Sequence, residues 1–281
     1  MQTTLRDLLT MKEKGEFITM LTAYDMVSAR VSEMAGVPAL LVGDSLGMVV
    51  QGRKSTIPVT LDQMIYHCEI VARVTEKPLI VADMPFMTYS VNHEQALTNS
   101  ARMMQQTGVS AVKLEGGEVM EDTISRVVNA GIPVMAHVGF TPQSVNKLGV
   151  RVQGRDLEMA KQVIRDAEAV QDAGAFAVVL ELMPAPLAKI ITERLTIPTI
   201  GIGAGAGCDG QIQVFHDIMG MFFDFVPKHT RQYAKVGETM RDAVAQYVDD
   251  VKAGTFPTGE NSFGMDDDIV AKLKSELNDS K

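Results

Sequence analysis

The sequence predicts a (β/α)8 TIM barrel, in which parallel strands alternate with helices and close into a cylinder. Short apolar runs, each ending in a charged or small residue, alternate along the chain with longer segments of helical periodicity. The apolar runs do not alternate with polar residues, which indicates strands buried on both faces of a parallel sheet. The length of 281 residues also matches the roughly 250 that such a barrel typically needs.

The first half of the barrel is predicted from four apolar runs and the segments that follow them. The strands are expected at 18–23, 39–43, 79–82 and 111–114, and the helices at 26–35, 61–75, 94–106 and 119–129. Thr60 is predicted to cap the second of these helices, because its hydroxyl can accept from a free backbone N–H. Gly108 is predicted to close the third helix, where a left-handed residue is common.

The second half follows the same pattern. The strands are expected at 134–136, 177–180, 199–202 and 213–215, and the helices at 157–173 and 185–194. A proline stands just before each of four strands, where its missing donor costs no ladder bond. These prolines are Pro38, Pro78, Pro133 and Pro198.

After about residue 225 the alternation of strands and helices stops. Residues 236–251 and 266–277 are predicted to form two further helices, separated by a glycine-bearing loop. We therefore expect one domain over 1–281, with the barrel at about 17–225 and a C-terminal helical extension at about 226–281. The extension could cover the barrel, pack on a neighbouring subunit or fray.

Composition limits the classes of partner. The net charge of −9 argues against a nucleic-acid-binding surface, which needs clustered lysine and arginine. Cys68 and Cys208 are far apart and form no CxxC motif, which argues against a disulfide framework or a zinc cluster. Neither a secretory signal nor a run of roughly 20 apolar residues is visible. We expect a reduced, cytoplasmic protein with small-molecule ligands and no membrane partner.

Polar residues follow most of the predicted strands, where the active site of a parallel barrel lies. They are Asp25, Asp44, Ser45, Asp83, Lys113, Glu115, His137, Glu181, the glycines of 203–205, His216 and Asp217. A lone aspartate after a strand is usually a helix cap, and Asp25 fits that interpretation. Several carboxylates at one mouth repel one another unless a cation lies between them, and oxygen ligands suit Mg²⁺. Asp44 and Asp83 are therefore predicted metal ligands, and Glu115 either binds directly or acts through a water.

Lys113 and His137 each allow two interpretations, and Glu181 has one predicted role. Lys113 and Glu115 are two apart on one strand and face the same side, so Lys113 is either a substrate-binding cation or a structural partner of Glu115. His137 is either a substrate ligand or a satisfied core histidine. Glu181 is the candidate general base, because an apolar setting makes a carboxylate a better proton acceptor.

The glycine-rich run at 201–207 resembles a dinucleotide loop only superficially. It follows strand seven, whereas the dinucleotide fingerprint belongs early in a βαβ unit with an acid about 20 residues further on. The run is either a phosphate or cofactor loop or a tight turn without a ligand.

Nine sequence blocks occur in an order that is typical of one family. They are 23–25 (AYD), 41–48 (LVGDSLGM), 58–60 (PVT), 83–86 (DMPF), 111–117 (AVKLEGG), 137–144 (HVGFTPQS), 152–155 (VQGR), 180–181 (LE) and 197–205 (IPTIGIGAG). With these blocks the chain resembles the ketopantoate hydroxymethyltransferase family over about residues 21–233. Three residues depart from the family pattern. The family usually has glycine and an aromatic residue in place of Val150 and Arg151, and phenylalanine in place of His229.

The resemblance implies a reaction and a set of roles. The substrate 3-methyl-2-oxobutanoate would chelate Mg²⁺ and lose its C3 proton to Glu181, and the enolate would attack 5,10-methylenetetrahydrofolate to give ketopantoate for pantothenate synthesis. The implied metal ligands are Asp44, Asp83 and Glu115, and the implied substrate-binding residues are Asp44, Ser45, Asp83, Lys113 and His137. The family fold is related to barrels that use phosphoenolpyruvate and pyruvate, and its members commonly form homodecamers.

Two other functions remain open on the sequence. A metal-dependent lyase or mutase of 2-oxo acids would use a similar acid set on the same barrel, but it would need no folate. A non-catalytic barrel that binds a metabolite would not depend on Glu181 as a base. The convergent acid set argues against the second of these functions.

Overall fold

The computed structural model describes residues 2–222 and 225–278 and contains a closed barrel of eight parallel strands. The strands are β1 (Ile18–Thr22), β2 (Ala39–Val42), β3 (Leu79–Asp83), β4 (Ala111–Glu115), β5 (Val134–Gly139), β6 (Ala177–Glu181), β7 (Thr199–Ile202) and β8 (Gly210–Gln213). Each strand pairs with its neighbours in sequence, and β8 closes the barrel on β1. The predicted (β/α)8 barrel is confirmed. Parts of the predicted barrel end and extension, at 223–224 and 279–281, lie outside the described residues.

The helices follow the strands and surround the barrel. They are α1 (Leu5–Lys14), α2 (Met26–Met34), α3 (Leu46–Val49), α4 (Leu61–Val74), α5 (His93–Thr107), α6 (Glu121–Asn129), α7 (Val145–Leu148), α8 (Leu157–Asp172), α9 (Ala185–Arg194), α10 (Phe215–Ile218), α11 (Val236–Ala253) and α12 (Asp267–Asn278). Short 3-10 turns lie at Glu118–Met120, Pro142–Ser144 and Gly259–Asn261. Both predicted caps are confirmed, because Thr60 accepts from the backbone N–H of Gln63 and Gly108 is left-handed with φ 77°.

The predicted position of strand eight, at 213–215, was wrong by three residues. The observed strand begins at Gly210, where a Cβ would lie only 2.3 Å from the carbonyl oxygen of Ile18 on β1. The glycine permits this close approach, and the apolar residues Val214 and Phe215 instead lead into α10. His216 and Asp217, expected at the strand end, consequently lie in that short helix.

Side chains from each strand alternate between two separate cores. The barrel interior holds one core, and the other fills the space between the strands and the helices. The interior core includes Ile18, Met20, Leu41, Val81, Met135 and Ile200. Leu114 packs in the outer core, whereas its neighbours Lys113 and Glu115 line a cavity at the barrel mouth. The alternation therefore carries the two charged side chains of β4 to the same place, as the sequence predicts.

The helices at the two ends of the chain differ in how far they are buried. The first helix, α1, was not predicted; its residue Leu8 is fully buried in the interior core and closes the amino-terminal end of the barrel. Only Gly237 is buried in α11, and α12 has no buried residue among those described. None of the described helices is long and apolar enough to cross a membrane. Cys68 and Cys208 are both buried and free.

Candidate active site

One cavity of about 460 Å³ opens at the carboxyl ends of the strands, and every residue predicted to act in catalysis or binding lines it. These residues are Asp44, Ser45, Asp83, Lys113, Glu115, His137 and Glu181. All but Ser45 and Glu181 are almost completely buried. The barrel therefore brings together side chains from five strands that are far apart in sequence.

The ends of β2 and β3 are tied together by a backbone contact. The N–H of Asp44 donates to Oδ2 of Asp83 over 3.0 Å. This approach depends on Gly43, because a Cβ there would lie 2.8 Å from Oγ of Ser45 and 3.4 Å from Oδ2 of Asp83. The small residue before Asp44 thus allows both aspartates to face the same part of the cavity.

Lys113 forms its ion pair with Asp83, not with Glu115 as the structural interpretation of the sequence supposed. Its Nζ lies 2.8 Å from Oδ1 of Asp83, and both side chains are about 95% buried. Burial lowers the pKa of Lys113, but the charges of Asp83, Glu115 and Asp44 outweigh it and raise that pKa. Lys113 is therefore a permanently charged cation in the floor of the cavity.

Asp44 is the least stabilised carboxylate of the group. Burial raises its pKa well above the usual value, and the charges of Asp83 and Glu115 raise it further. Its Oδ2 accepts from Nε2 of Gln143 over 2.8 Å. Its Oδ1 has no hydrogen-bond partner within the described part of the chain, so this oxygen remains available to a ligand in the cavity.

Glu115 is held from two sides. Its Oε2 accepts from the backbone N–H of Gln143 over 3.1 Å, and its Oε1 lies 3.6 Å from Nδ1 of His137. Burial raises the pKa of Glu115, but His137 and Lys113 together lower it below the usual value. Over 2–222 and 225–278, no three histidine, cysteine or acidic side chains are grouped to hold one metal ion.

His137 connects Lys113 with Glu181. Its Nδ1 lies 3.1 Å from Nζ of Lys113, and its Nε2 lies 3.1 Å from Oε2 of Glu181. Burial and the Lys113 charge lower the pKa of His137, whereas Glu115 and Glu181 raise it, and the outcome is about 9. The Lys113 contact requires an unprotonated Nδ1, so it competes with the charged imidazole that this pKa favours. In both states Nε2 carries its proton beside Glu181, although the N–H is not aligned for a hydrogen bond.

Glu181 ends β6 at a backbone turn that few residues adopt. The next residue, Leu182, has φ 46°, in the left-handed region that is uncommon for a large side chain. Its N–H donates to the carbonyl of Ile202 over 3.0 Å, and its carbonyl accepts from the N–H of Gln153 over 2.8 Å. These two hydrogen bonds hold the strained turn, which fixes the direction in which Glu181 leaves the strand.

Some predicted residues do not reach the cavity. Asp25 caps α2, because its Oδ1 accepts from the N–H of Ser28 over 2.8 Å, so the structural interpretation is confirmed. His216 stacks on Phe222 with ring centroids 5.7 Å apart. The part of the cavity wall formed by described residues does not include Asp25, His216, Asp217 or the glycines at 203–205.

Two neutral residues that were not predicted contact the predicted site residues. The hydroxyl of Tyr24 lies 2.8 Å from Oγ of Ser45, and Gln143 contacts both Asp44 and Glu115. Both Tyr24 and Gln143 lie inside sequence blocks quoted for the family resemblance. A search that begins from charged side chains passes over them, because their role depends on which acids they contact.

The outer part of the cavity has a different character from its floor. Its walls are mainly apolar and are formed by Met48, Phe140, Val145, Val150, Leu182 and Phe225. Lys54, Lys228 and His229 line the same region, and both lysines are exposed. Neither lysine forms an ion pair with another described residue. The outer cavity thus combines apolar surface with free positive charge.

Comparisons with known proteins identify a family. A family model described as ketopantoate hydroxymethyltransferase matches residues 2–259. A 3-methyl-2-oxobutanoate hydroxymethyltransferase of Chloroflexus aggregans is 55% identical over 280 residues, covering 100% of both chains. Proteins of the same name from Dehalococcoides mccartyi and Acetivibrio thermocellus are 53% and 49% identical, covering 98% and 96% of this chain and 99% and 96% of their own.

Solved structures share the fold at low sequence identity. A putative phosphonomutase from Burkholderia cenocepacia J2315 superposes with a TM-score of 0.62 and 16% identity, covering 86% of this chain and 98% of its own. A phosphonopyruvate hydrolase in complex with oxalate and Mg²⁺ has a TM-score of 0.62 and 12% identity, covering 100% and 98%. A 2,3-dimethylmalate lyase has a TM-score of 0.58 and 16% identity, covering 98% and 100%. At such identities these likenesses support the barrel alone.

Proposed function

The chain belongs to the ketopantoate hydroxymethyltransferase family, and on this basis we propose that it transfers a hydroxymethyl group from 5,10-methylenetetrahydrofolate to 3-methyl-2-oxobutanoate. The product is ketopantoate, the 2-dehydropantoate used for pantothenate. The observation that carries the proposal is the meeting of Asp44, Asp83, Lys113 and Glu181 in one cavity of a chain that the family model matches over residues 2–259. The lyase and mutase named among the solved structures are 16–17% identical to this chain, which supports the fold alone, so the alternative has no comparable support.

Asp44 and Asp83 would hold a divalent cation, which we propose to be Mg²⁺. The donor set fits such an ion, since Mg²⁺ is usually bound by one or two carboxylates and leaves other positions for water and substrate. Among the described residues, Oδ1 of Asp44 has no hydrogen-bond partner, and Oδ1 of Asp83 has no aligned hydrogen bond despite its contact with Lys113. Glu115 would act indirectly, through the groups around it. The bound cation would supply Lewis acidity at the 2-oxo group.

Lys113 and Ser45 would bind the carboxylate of the substrate. Lys113 is the cation in the floor, and its charge is held in place by Asp83. The hydroxyl of Ser45 is oriented by Tyr24, which lies 2.8 Å away and is fully buried. A hydroxyl donor and an ammonium on one side of the cavity would fix the orientation of a small 2-oxo acid.

Glu181 would remove the C3 proton of the substrate. Its carboxylate lines the cavity with a side-chain exposure of 15%, so it can reach a bound molecule while remaining largely dry. Nε2 of His137 lies 3.1 Å from Oε2 of this carboxylate and places its proton beside it. We assign His137 to orienting the base and closing the substrate site rather than to the removal of the proton.

The outer cavity would bind the folate co-substrate. Its apolar walls suit the aromatic part of a folate, and Lys54 and Lys228 suit the carboxylates of the glutamate tail. Exposed charges contribute weakly, so we expect replacement of both lysines by alanine to raise the KM for methylenetetrahydrofolate several-fold. The KM for the oxo acid should not change, and Lys14→Ala, at the opposite end of the barrel, is the matched control.

We propose that the chain forms one barrel domain and is located in the cytoplasm. The same family resemblance also supports the association of several copies of the chain. The extension carries exposed apolar side chains on α11, namely Met240, Val244, Tyr247, Val248 and Val251. Apolar surface of this kind commonly marks a contact with another protein. We propose that copies of the chain form a homo-oligomer, a homodecamer by resemblance, and sedimentation equilibrium of the purified protein measures the number of subunits.

Proton exchange at C3 tests the proposed reaction. The protein is incubated in D₂O with 3-methyl-2-oxobutanoate and Mg²⁺, first without and then with methylenetetrahydrofolate. We expect Mg²⁺-dependent deuterium incorporation, and ketopantoate only when folate is present. Exchange without any folate-dependent product would instead support the lyase or mutase. Neither exchange nor ketopantoate with all components present would contradict the proposed function.

A further inference from the structure

A single neutral residue, Gln143, connects the ends of three strands at the mouth of the barrel. Gln143 lies in the 3-10 turn after β5 and is 6% exposed. Its Nε2 donates to Oδ2 of Asp44 over 2.8 Å and to the carbonyl of Met84 over 2.9 Å. Its backbone N–H donates to Oε2 of Glu115 over 3.1 Å. These contacts reach the segments that follow β2 and β3 and the last residue of β4.

The orientation of the Gln143 amide is fixed by a buried phenol. The hydroxyl of Tyr89 donates to Oε1 of Gln143 over 2.7 Å and accepts from the N–H of Glu115 over 3.2 Å. Tyr89 is 3% exposed, so water does not replace either contact easily. Because Oε1 is occupied by a donor, the amide must direct both of its N–H groups at Asp44 and Met84. Tyr89 and Gln143 therefore act as one unit.

The unit determines which carboxylate oxygen of Asp44 is free. Gln143 occupies Oδ2, so the rotation of the carboxylate is fixed and Oδ1 is left without a partner among the described residues. The same glutamine holds Glu115 through its backbone N–H, and this contact does not depend on the side chain. A change confined to the amide would thus release Asp44 while leaving Glu115 held.

We propose that Gln143, locked by Tyr89, is a positioning residue that aims Oδ1 of Asp44 into the cavity. This inference rests on the proposed function, in which Asp44 holds a divalent cation. Without the amide, the carboxylate can rotate, and the ligand geometry must be ordered each time a cation binds. Residues that orient a ligand in this way typically contribute about 10–100-fold to metal affinity or activity.

The test replaces the amide by a side chain of similar shape that cannot donate. Gln143→Met keeps the volume, adds no charge and retains the backbone contact to Glu115. Binding of Mn²⁺ alone is measured from the electron paramagnetic resonance signal of the free ion, so no turnover is needed. We expect the apparent Kd for Mn²⁺ to rise about 10–100-fold. Tyr89→Phe should shift it in the same direction by less, because the amide loses its lock but keeps its donors.

A second glutamine in the chain provides the matched control. Oε1 of Gln171 accepts from the N–H of Thr196 over 2.7 Å, from its hydroxyl over 3.1 Å and from the N–H of Ile197 over 3.3 Å. This glutamine lies in α8, outside the cavity lining. Gln171→Met should therefore lower the melting temperature without changing Mn²⁺ affinity. The KM for methylenetetrahydrofolate should be the same in both variants.

The outcomes separate the positioning role from the proposed function. An unchanged Mn²⁺ affinity in a folded Gln143→Met protein would overturn the positioning role and leave the proposed function intact. Equal losses of affinity in Gln143→Met and Gln171→Met would also overturn it, since a general loss of stability would then explain both. If the unsubstituted protein bound no Mn²⁺, the metal assignment itself would be wrong.

Discussion

The two ends of the barrel each contain a lysine–aspartate pair of almost the same length, but the pairs have different surroundings. At the amino-terminal end, Nζ of Lys12 lies 2.7 Å from Oδ2 of Asp209. The same oxygen accepts from the N–H and the hydroxyl of Thr199 over 2.8 and 2.9 Å, and Lys12 also donates to the carbonyl of Thr192. Both charged groups of this pair therefore have further hydrogen-bond partners.

The pair at the mouth, Lys113 with Asp83, lies among an excess of negative charge. Asp44 and Glu115 are buried beside it, so Lys113 faces three carboxylates. Oδ1 of Asp83 and Nε2 of His137 are both buried, and neither has an aligned hydrogen bond to another described residue. A buried ion pair stabilises a fold only when its groups are fully satisfied. The amino-terminal pair supports the fold, whereas the mouth keeps unmatched groups that a cation and a substrate would satisfy.

The largest expected effect comes from the base at the mouth. Glu181→Gln keeps the shape and removes only the proton acceptor, so we expect kcat to fall about 10²–10⁴-fold. Mn²⁺ affinity and the melting temperature should change little, because Glu181 lies outside the pair of aspartates that would hold the ion. The C3 exchange rate in D₂O measures the effect directly. Exchange at the unsubstituted rate would show that another group removes the proton, and Glu193→Gln on the exposed face of α9 is the control.

Replacing the two lysines separates function from stability. Lys113→Met should reduce kcat/KM for the oxo acid roughly 10²–10³-fold, the size of the loss of one directed donor. It should also cost about 3–5 kcal/mol of unfolding free energy, because it leaves Asp83 buried and uncompensated. Lys12→Met should cost less, about 1–3 kcal/mol, since Asp209 keeps its two donors from Thr199. Urea unfolding and steady-state kinetics measure both quantities.

The activities of the Lys12→Met and Lys113→Met variants distinguish a pair that only supports the fold from a pair that acts in the reaction. Activity should survive in folded Lys12→Met protein, because Lys12 does not line the cavity at the mouth. If both variants lost activity in proportion to their loss of stability, the two pairs would have the same role. The distinction between a supporting pair and a functional pair would then be wrong.

The charged residues of the site could be predicted from the sequence because they stand at the ends of the strands. Asp44, Asp83 and Glu115 each stand at or directly after an apolar run, and the alternation along β4 places Lys113 beside Glu115 on one face. These features depend only on local sequence. The closed barrel then brings the ends together, whatever the details of the loops.

The partners within the site could not be predicted, because they depend on register. Asp83 of β3 is aligned with Lys113 of β4, and Glu115 is aligned with His137 of β5. Apolar runs in parallel strands carry no signal for these alignments. The only ion-pair partner that the sequence suggested for Lys113 was therefore Glu115 on the same strand, whereas the observed partner is Asp83. Gln143 was missed for a similar reason, since its contacts arise from a turn that only the folded chain defines.

The smallest expected effect concerns stability without a metal. Burial raises the pKa of Asp44 well above its usual value, and Asp83 and Glu115 raise it further. A carboxyl with a raised folded-state pKa holds its proton more tightly in the folded protein than in the unfolded chain. Its favourable contribution is complete at pH values below the unfolded-state pKa and is lost as the pH rises through the folded-state pKa. At neutral pH, Asp44 should therefore stabilise the metal-free protein less than it does at low pH.

Asp44→Asn should consequently raise the melting temperature of the metal-free protein at neutral pH, by roughly 2–4 °C for each kcal/mol regained. It should also flatten the decline in the melting temperature of the metal-free protein as the pH rises above the ordinary aspartate pKa, and it should abolish Mn²⁺ binding. Asp209→Asn is the matched control and should act in the opposite direction, because it removes the charged partner of Lys12 from a satisfied pair. If both substitutions lowered the melting temperature, the charge of Asp44 would stabilise the fold, and the mouth would not differ from the amino-terminal end. An increase in the first and a decrease in the second would show that the same kind of acid opposes folding at one end of the barrel and supports it at the other.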